Sequence, residues 1–214
     1  MRPPNWLDKA EKKIGFIALP NLYLYVLVLQ IFGFLTLNLN PNAFSRLILL
    51  PEAVLQGEIW RLLTFTAIPL SGGIFMLFVL WFLYFILKIL EQEWGEFKLT
   101  FYLASTILLT IAYSFLFNYP VVTFRHIEIT LFLAAALLFP DEEIMLFMII
   151  PVKMIYMAIL PAIFIVWDFY SGSWLDRGYL VAVFTMFFIF FYPSFIERVK
   201  GYYRRQKNKN IFRR

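Results

Sequence analysis

Two places in this 214-residue chain combine residue types and spacings suited to chemistry. The first is Arg125-His126-Ile127-Glu128-Ile129-Thr130. His126 and Thr130 stand four apart, which puts an imidazole and a hydroxyl on one helix face. That is the pairing of a base with a nucleophile. Glu128, Asp168 and Asp176 add carboxyls, and two carboxyls sharing one proton make a hydrolytic dyad. Against catalysis, Thr is β-branched and no oxyanion-hole glycines surround it. The plainer reading is that His126 marks the watery end of a helix and Glu128 pairs with an Arg. The second place is Gly57-Glu58-Ile59-Trp60-Arg61-Leu62-Leu63-Thr64, between two long apolar runs. Arg61 is a five-donor fork able to organise loop carbonyls, and Trp60 favours a membrane interface. The pair either locks its loop or shapes an entry site for another protein's helix. The first reading takes precedence, because an Arg fork suits fixed acceptors.

The elements that position these residues follow from composition. The chain is 62% hydrophobic, 21% aromatic and 15% charged, with 26 Phe. Soluble domains are nearer half apolar and a quarter charged. So much apolar surface calls for lipid as the solvent. The absence of Cys excludes disulfides and thiolate metal sites, and a single His excludes His-rich ones. No cofactor and no metal are expected. Six apolar segments suit helical spans, near 20–38, 71–90, 99–118, 127–140, 144–169 and 178–194. The fifth carries Pro151 and Pro161, which predict kinks. The fourth is short and is expected at the centre of the bundle, where Ala134-Ala135-Ala136 lets neighbouring backbones approach.

Residues 1–19 read as an amphipathic surface segment, too charged for a cleavable signal. Residues 20–194 make the membrane domain, and 195–214 a basic tail. Lys and Arg gather at both ends, with Arg2, Lys9, Lys12 and Lys13 at one and Arg198 to Arg214 at the other. Both termini are therefore expected in the cytoplasm, which needs an even number of spans. The tail reads as a topology signal and an anchor for anionic head groups, not as a nucleic-acid site. Size and topology fit a bacterial inner membrane. The oligomeric state is left open.

Polar residues within spans are functional candidates by default. Tyr102, Thr106, Thr110 and Ser114 repeat every four residues, one stripe on one helix. The stripe is either a groove for a substrate helix or, by preference, a seam of interhelical hydrogen bonds worth about 0.6–2 kcal/mol each. Gln30 and Gly33 are assigned to helix packing. Lys153, read as lying roughly 15 Å along a straight helix from Glu143, either binds a client carboxylate or a lipid head group or, by preference, makes an internal pair with Asp141, Glu142 or Glu91. Asp141 is expected to cap the fifth span.

These residues together resemble the rhomboid superfamily, in particular bacterial rhomboid-like proteins. Gly57–Thr64 is similar to the family's first-loop motif G-x-W-W-R-L-L-T, with Ile59 for the first Trp. Leu90-Glu91 followed by Trp94-Gly95 looks like its charged turn, and Leu138-Phe139-Pro140 like the end of its fourth span. The six-span order with a long first outer loop also fits. The resemblance covers most of 20–194 and implies an all-α, polytopic six-helix bundle with a short central fourth helix. It also has departures. The family's proteases carry G-x-S-G where this chain has Arg125 to Thr130. Leu175-Asp176-Arg177-Gly178-Tyr179 stands where the catalytic His belongs. Phe75, Met76, Phe78 and Val79 replace the oxyanion-binding His and Asn. Loss of nucleophile, base and oxyanion donors removes the terms that give such chemistry its rate. The resemblance thus implies a pseudoprotease without catalytic residues, similar to derlins, whose quality-control role implies transmembrane client proteins and membrane lipids as partners. Trp60, Arg61, His126, Glu128 and Asp176 are the residues expected to bind clients or organise loops. The alternatives are an unconventional intramembrane hydrolase using Asp168, Asp176 or Glu128, and a transporter or channel subunit.

Overall fold

The computed structural model describes residues 4–69, 73, 75–146 and 150–211, with 193–211 described as backbone. It is mostly helical, at 79%. Five helices are long and apolar enough to cross a membrane: α2 (Leu22–Leu39), α6 (Phe75–Trp94), α7 (Glu96–Phe117), α9 (Met154–Ser171) and the first part of α10 (Trp174–Ile211). These five helices carry the reading of a helical integral membrane protein. Arg2, Arg213 and Arg214 lie outside the described residues, as do the start of the expected 71–90 span at 71, 72 and 74 and residues 147–149 of the fifth.

The sixth expected span is α8 (Arg125–Leu138). Its 14 residues rise about 21 Å, short of the roughly 30 Å of hydrocarbon. It therefore does not count as a crossing by length, and the even-number argument for cytoplasmic termini loses its support from the count. α8 is nonetheless well covered. Ile127, Leu131, Ala134, Ala135 and Ala136 have almost no exposed surface, and α6, α7, α9 and α10 pack around it.

The expected fifth span starts ten residues late. Its described residues ahead of Met154 are not helical. β1 (Glu143–Leu146) pairs antiparallel with β2 (Ile150–Lys153), and α9 begins at Met154. The reason is Pro151: within a helix it lacks a donor and collides with the preceding turn, whereas in a two-stranded ladder it sits opposite Met145 on an outer edge. Pro161 is inside α9, so of the two expected kink sites only this one lies in a helix. Asp141 caps no helix. Lys153 is not 15 Å from Glu143 but its register partner, and its ammonium pairs with Asp141 at 3.2 Å. That carboxylate holds the Lys153 ammonium above the usual range.

α1 (Asn5–Ile14) packs on the start of α7. Leu7 is fully buried, Trp6 meets Phe101 edge to face at 5.8 Å, and Asp8 pairs with Lys98 at 2.7 Å. α10 runs along α7, and Gly178 allows it, because a Cβ there would lie 2.4 Å from the Tyr113 hydroxyl. The link between α2 and α6 folds into α3 (Phe44–Leu47), α4 (Pro51–Leu55), α5 (Arg61–Thr64) and a 3-10 turn, Phe65–Ala67. This turn is pressed against α2, where a Cβ on Gly33 would sit 1.8 Å from the Ala67 carbonyl oxygen. Beside it, the Gln30 amide donates to the Thr66 carbonyl at 2.8 Å. Gln30 and Gly33 together dock the loop onto the helix.

Candidate functional site

Arg61 lies within the first loop and is 5% exposed. The chain turns helically from Glu58 to Thr64, so Glu58 and Arg61, three apart, face the same way. The Arg61 Nε donates to Glu58 at 2.6 Å, and its Nη2 reaches the same carboxylate. Its Nη1 donates to the carbonyls of Ser45 at 2.7 Å and Ile48 at 2.8 Å. The Thr64 hydroxyl adds a bond to the Leu47 carbonyl at 3.0 Å. One guanidinium thus holds the end of α3 against α5. Trp60 points outward and is half exposed. The loop is tied to the chain ahead of α8 by a bridge in which Leu49 and Val121 exchange backbone bonds at 3.0 Å. Beside that bridge lies a half-open pocket of about 340 Å³, lined by residues that include Glu52, Gln56 and Asn118. The Asn118 amide donates to Glu52 across it at 2.7 Å.

The second cluster joins the start of α8 to the end of α9 and the start of α10. Asp168 faces both Arg125 and His126, each at 3.8 Å. These are ion-pair distances, too long for hydrogen bonds. The His126 ring meets Tyr179 edge on at 5.4 Å, and its Nδ1 is buried without a hydrogen-bond partner. His126 precedes the apolar run that starts at Ile127. Burial pushes its proton affinity down, Arg125 pushes it further, and Asp168 partly offsets them. Tyr119 stacks on Tyr179 at 5.1 Å and donates to Asp176 at 2.7 Å. Burial, then that bond, raises its phenol above the ordinary range.

Asp176 is a capping residue. Its Oδ2 accepts from the Ser173 amide and hydroxyl at 2.8 and 2.7 Å, while Ser173 Oγ accepts from the Asp176 amide at 3.3 Å. This reciprocal exchange satisfies the first donors of α10. Arg177 donates to the carbonyls of Phe169 and Tyr170 at the end of α9. Both side chains shape the α9–α10 turn.

Glu128 departs from the expected pairing. It is 8% exposed, forms no ion pair among the described residues, and its Oε1 has no hydrogen-bond partner. Arg125 turns to Asp168 instead. Glu128 sits in the first turn of α8, where the helix dipole favours negative charge. The expected base and nucleophile do not meet. The Thr130 hydroxyl donates to the Ile127 carbonyl at 2.8 Å, whereas His126 is directed at Asp168.

The stripe on α7 is buried along its whole length, with Tyr102, Thr106, Thr110 and Ser114 each fully covered. Yet it does not bond from helix to helix. Thr106 donates to the Tyr102 carbonyl and Thr110 to the Thr106 carbonyl, both at 2.8 Å within α7. Ser114 donates to the Tyr119 carbonyl at 2.6 Å, just past the helix end. The Tyr102 hydroxyl interacts with Thr130, with geometry short of a hydrogen bond. A fourfold repeat also matches the reach from a hydroxyl to its own i−4 carbonyl.

Residues that sequence reasoning passed over are Tyr113, Tyr119, Tyr179 and Ser173. The Ser-x-x-Asp spacing of Ser173 and Asp176 is a capping signal. The tyrosines carry no such signal, because they meet only when three elements converge. No protein-family model, curated protein or solved structure matches this chain.

Proposed function

We propose that this chain is a catalytically inactive, rhomboid-like membrane protein that binds the transmembrane helices of client proteins. The carrying observation is the short helix α8, buried among longer neighbours. In this reading α8 is the sixth crossing, and the bilayer thins around it. Mismatch costs fractions of a kcal/mol per Å, enough to favour entry of helices that fit a normal bilayer poorly. The first loop, tied down by Arg61, forms the rim of the entry site, with Trp60 outward. The unpartnered Glu128 supports a recognition role for basic or polar client residues within the membrane. Absence of an aligned nucleophile and base at His126 and Thr130 supports binding without turnover.

Two measurements test the reading. The chain has no native Cys, so a photo-crosslinker on Trp60→Cys can be placed uniquely and activated in native membranes. Enrichment of single-span or multispan proteins above an unlabelled control is expected, and recovery of background alone ends the proposal. In parallel, the purified protein is mixed in liposomes with single-span substrates. No turnover is expected. Cleavage abolished by Thr130→Ala, Glu128→Ala or Asp176→Ala would establish the hydrolase alternative instead.

A further inference from the structure

α6 carries a cation on its lipid-facing side. From Phe75 to Leu90 every residue is uncharged except Lys88. Leu77, Trp81, Tyr84 and Lys88 recur at steps of four, three and four, so they share one face of the helix. Leu77 and Trp81 on that face are 66% and 43% exposed, and Lys88 is exposed as well. A charge within a span ordinarily pairs inside the bundle. Lys88 makes no ion pair among the described residues. Glu91, three residues on, accepts instead from the Leu22 amide at 3.1 Å.

What Lys88 touches is phenolic. Its ammonium donates to the Tyr84 hydroxyl at 2.9 Å and lies 5.2 Å from the centre of that ring. The Tyr84 ring meets Tyr23 of α2 edge to face at 5.4 Å, and Tyr23 is fixed in turn by donating to the Asn21 side chain at 2.9 Å. An ammonium has three donors and a phenol one. One ammonium proton goes to Tyr84, which leaves two, and the Tyr84 O–H, without an acceptor among the described residues.

Depth identifies the ligand. The Glu91–Leu22 bond marks the level at which α2 starts, and Lys88 is three residues, about 4.5 Å, further into α6. A lysine stem spans that distance, so the ammonium reaches the head-group level. The anion a bilayer supplies there is a lipid phosphate, whose acyl chains continue along Trp81 and Leu77. A free phosphate offers the same oxygens but nothing to cover that apolar stripe.

We propose that Lys88 and Tyr84 bind the phosphate of an anionic phospholipid in the leaflet where α2 begins and α6 ends, with Tyr23 positioning the Tyr84 ring. The site is separate from the basic tail and does not depend on client binding.

The test is native mass spectrometry of the full chain released from detergent, after titration with phosphatidylglycerol or with phosphatidylcholine of the same chains. Wild type is expected to retain one more phosphatidylglycerol than Lys88→Gln, and no more phosphatidylcholine. Lys88→Arg should keep that extra lipid, and Tyr84→Phe should lower its occupancy several-fold. Lys13→Gln, which removes an exposed charge from α1, should leave it in place. Equal losses in Lys13→Gln and Lys88→Gln overturn the proposal, because they show general charge attraction. So does an extra phosphatidylcholine equal to the phosphatidylglycerol. Displacement of the extra lipid by excess inorganic phosphate also overturns it, assigning the site to the free anion. Thermal unfolding in detergent without lipid checks the fold of each variant. Added phosphatidylglycerol should then raise the Tm of wild type more than that of Lys88→Gln, and equal rises count against the site.

Discussion

Replacing Arg61 should unfasten the first loop, and the size of the effect follows from its partners. Arg61→Ala leaves the Ser45 and Ile48 carbonyls without their donor and removes the bonds to Glu58. A hydrogen bond from a charged donor contributes about 1.5–3 kcal/mol, so the two carbonyls account for roughly 3–6 kcal/mol. The Glu58 carboxylate is more than a third exposed, so its pairing adds at most about 1 kcal/mol after solvent screening. Water entering the truncated site returns part of the total, and the expected loss is about 3–5 kcal/mol. For a chain of this size that is a fall in Tm of roughly 6–20 °C. Arg61→Lys keeps the charge but lacks the fork, and should lose about half as much. The assay is thermal and chemical unfolding of wild type and both variants in one detergent, with crosslinking to clients measured on the folded fraction. If Arg61→Ala costs less than about 1 kcal/mol, or Lys restores full stability, the fastening argument is wrong. If client crosslinking falls while stability holds, Arg61 is a contact residue instead.

Three further outcomes follow from the same geometry. Gly33→Ala drives a Cβ to 1.8 Å from backbone of the docked turn, so it should cost more than the usual 1–3 kcal/mol of overpacking, measured by the same unfolding assay. Thr106→Val with Thr110→Val should cost under about 1 kcal/mol in total, because both hydroxyls bond their own helix; a loss above about 1.2 kcal/mol would restore the interhelical seam. His126 is the one histidine, so its imidazole NMR signal is unambiguous and should titrate below the ordinary 6.5. Asp168→Asn should lower that midpoint further and Arg125→Gln should raise it. Because the folded value is depressed, the stability it confers is present above about 6.5 and lost as pH falls through the folded midpoint.

The sequence by itself determined the solvent and most of the helices. Apolar runs of span length are a local property, so α2, α6, α7 and the later part of α9 were legible from composition alone. The Glu58–Arg61 and Ser173–Asp176 spacings, which bring partners together within one turn, are local signals too, although the sequence reading made neither pairing. Only the tertiary structure decided the rest. Residues 143–153 are apolar enough for a helix, and the pairing of β1 with β2 depends on Pro151 finding an edge position opposite Met145. The hydroxyl stripe on α7 has one periodicity and two possible sets of acceptors, and packing chose the nearer carbonyls. Glu128 was expected to find an Arg, but Arg125, only three residues away on α8, is drawn to Asp168 on α9 instead. Which side of the Glu58–Thr64 turn is buried was equally undecidable from its residues, since the pattern is amphipathic either way. That choice was made by the carbonyls of Ser45 and Ile48, which no local pattern could place within reach of Arg61.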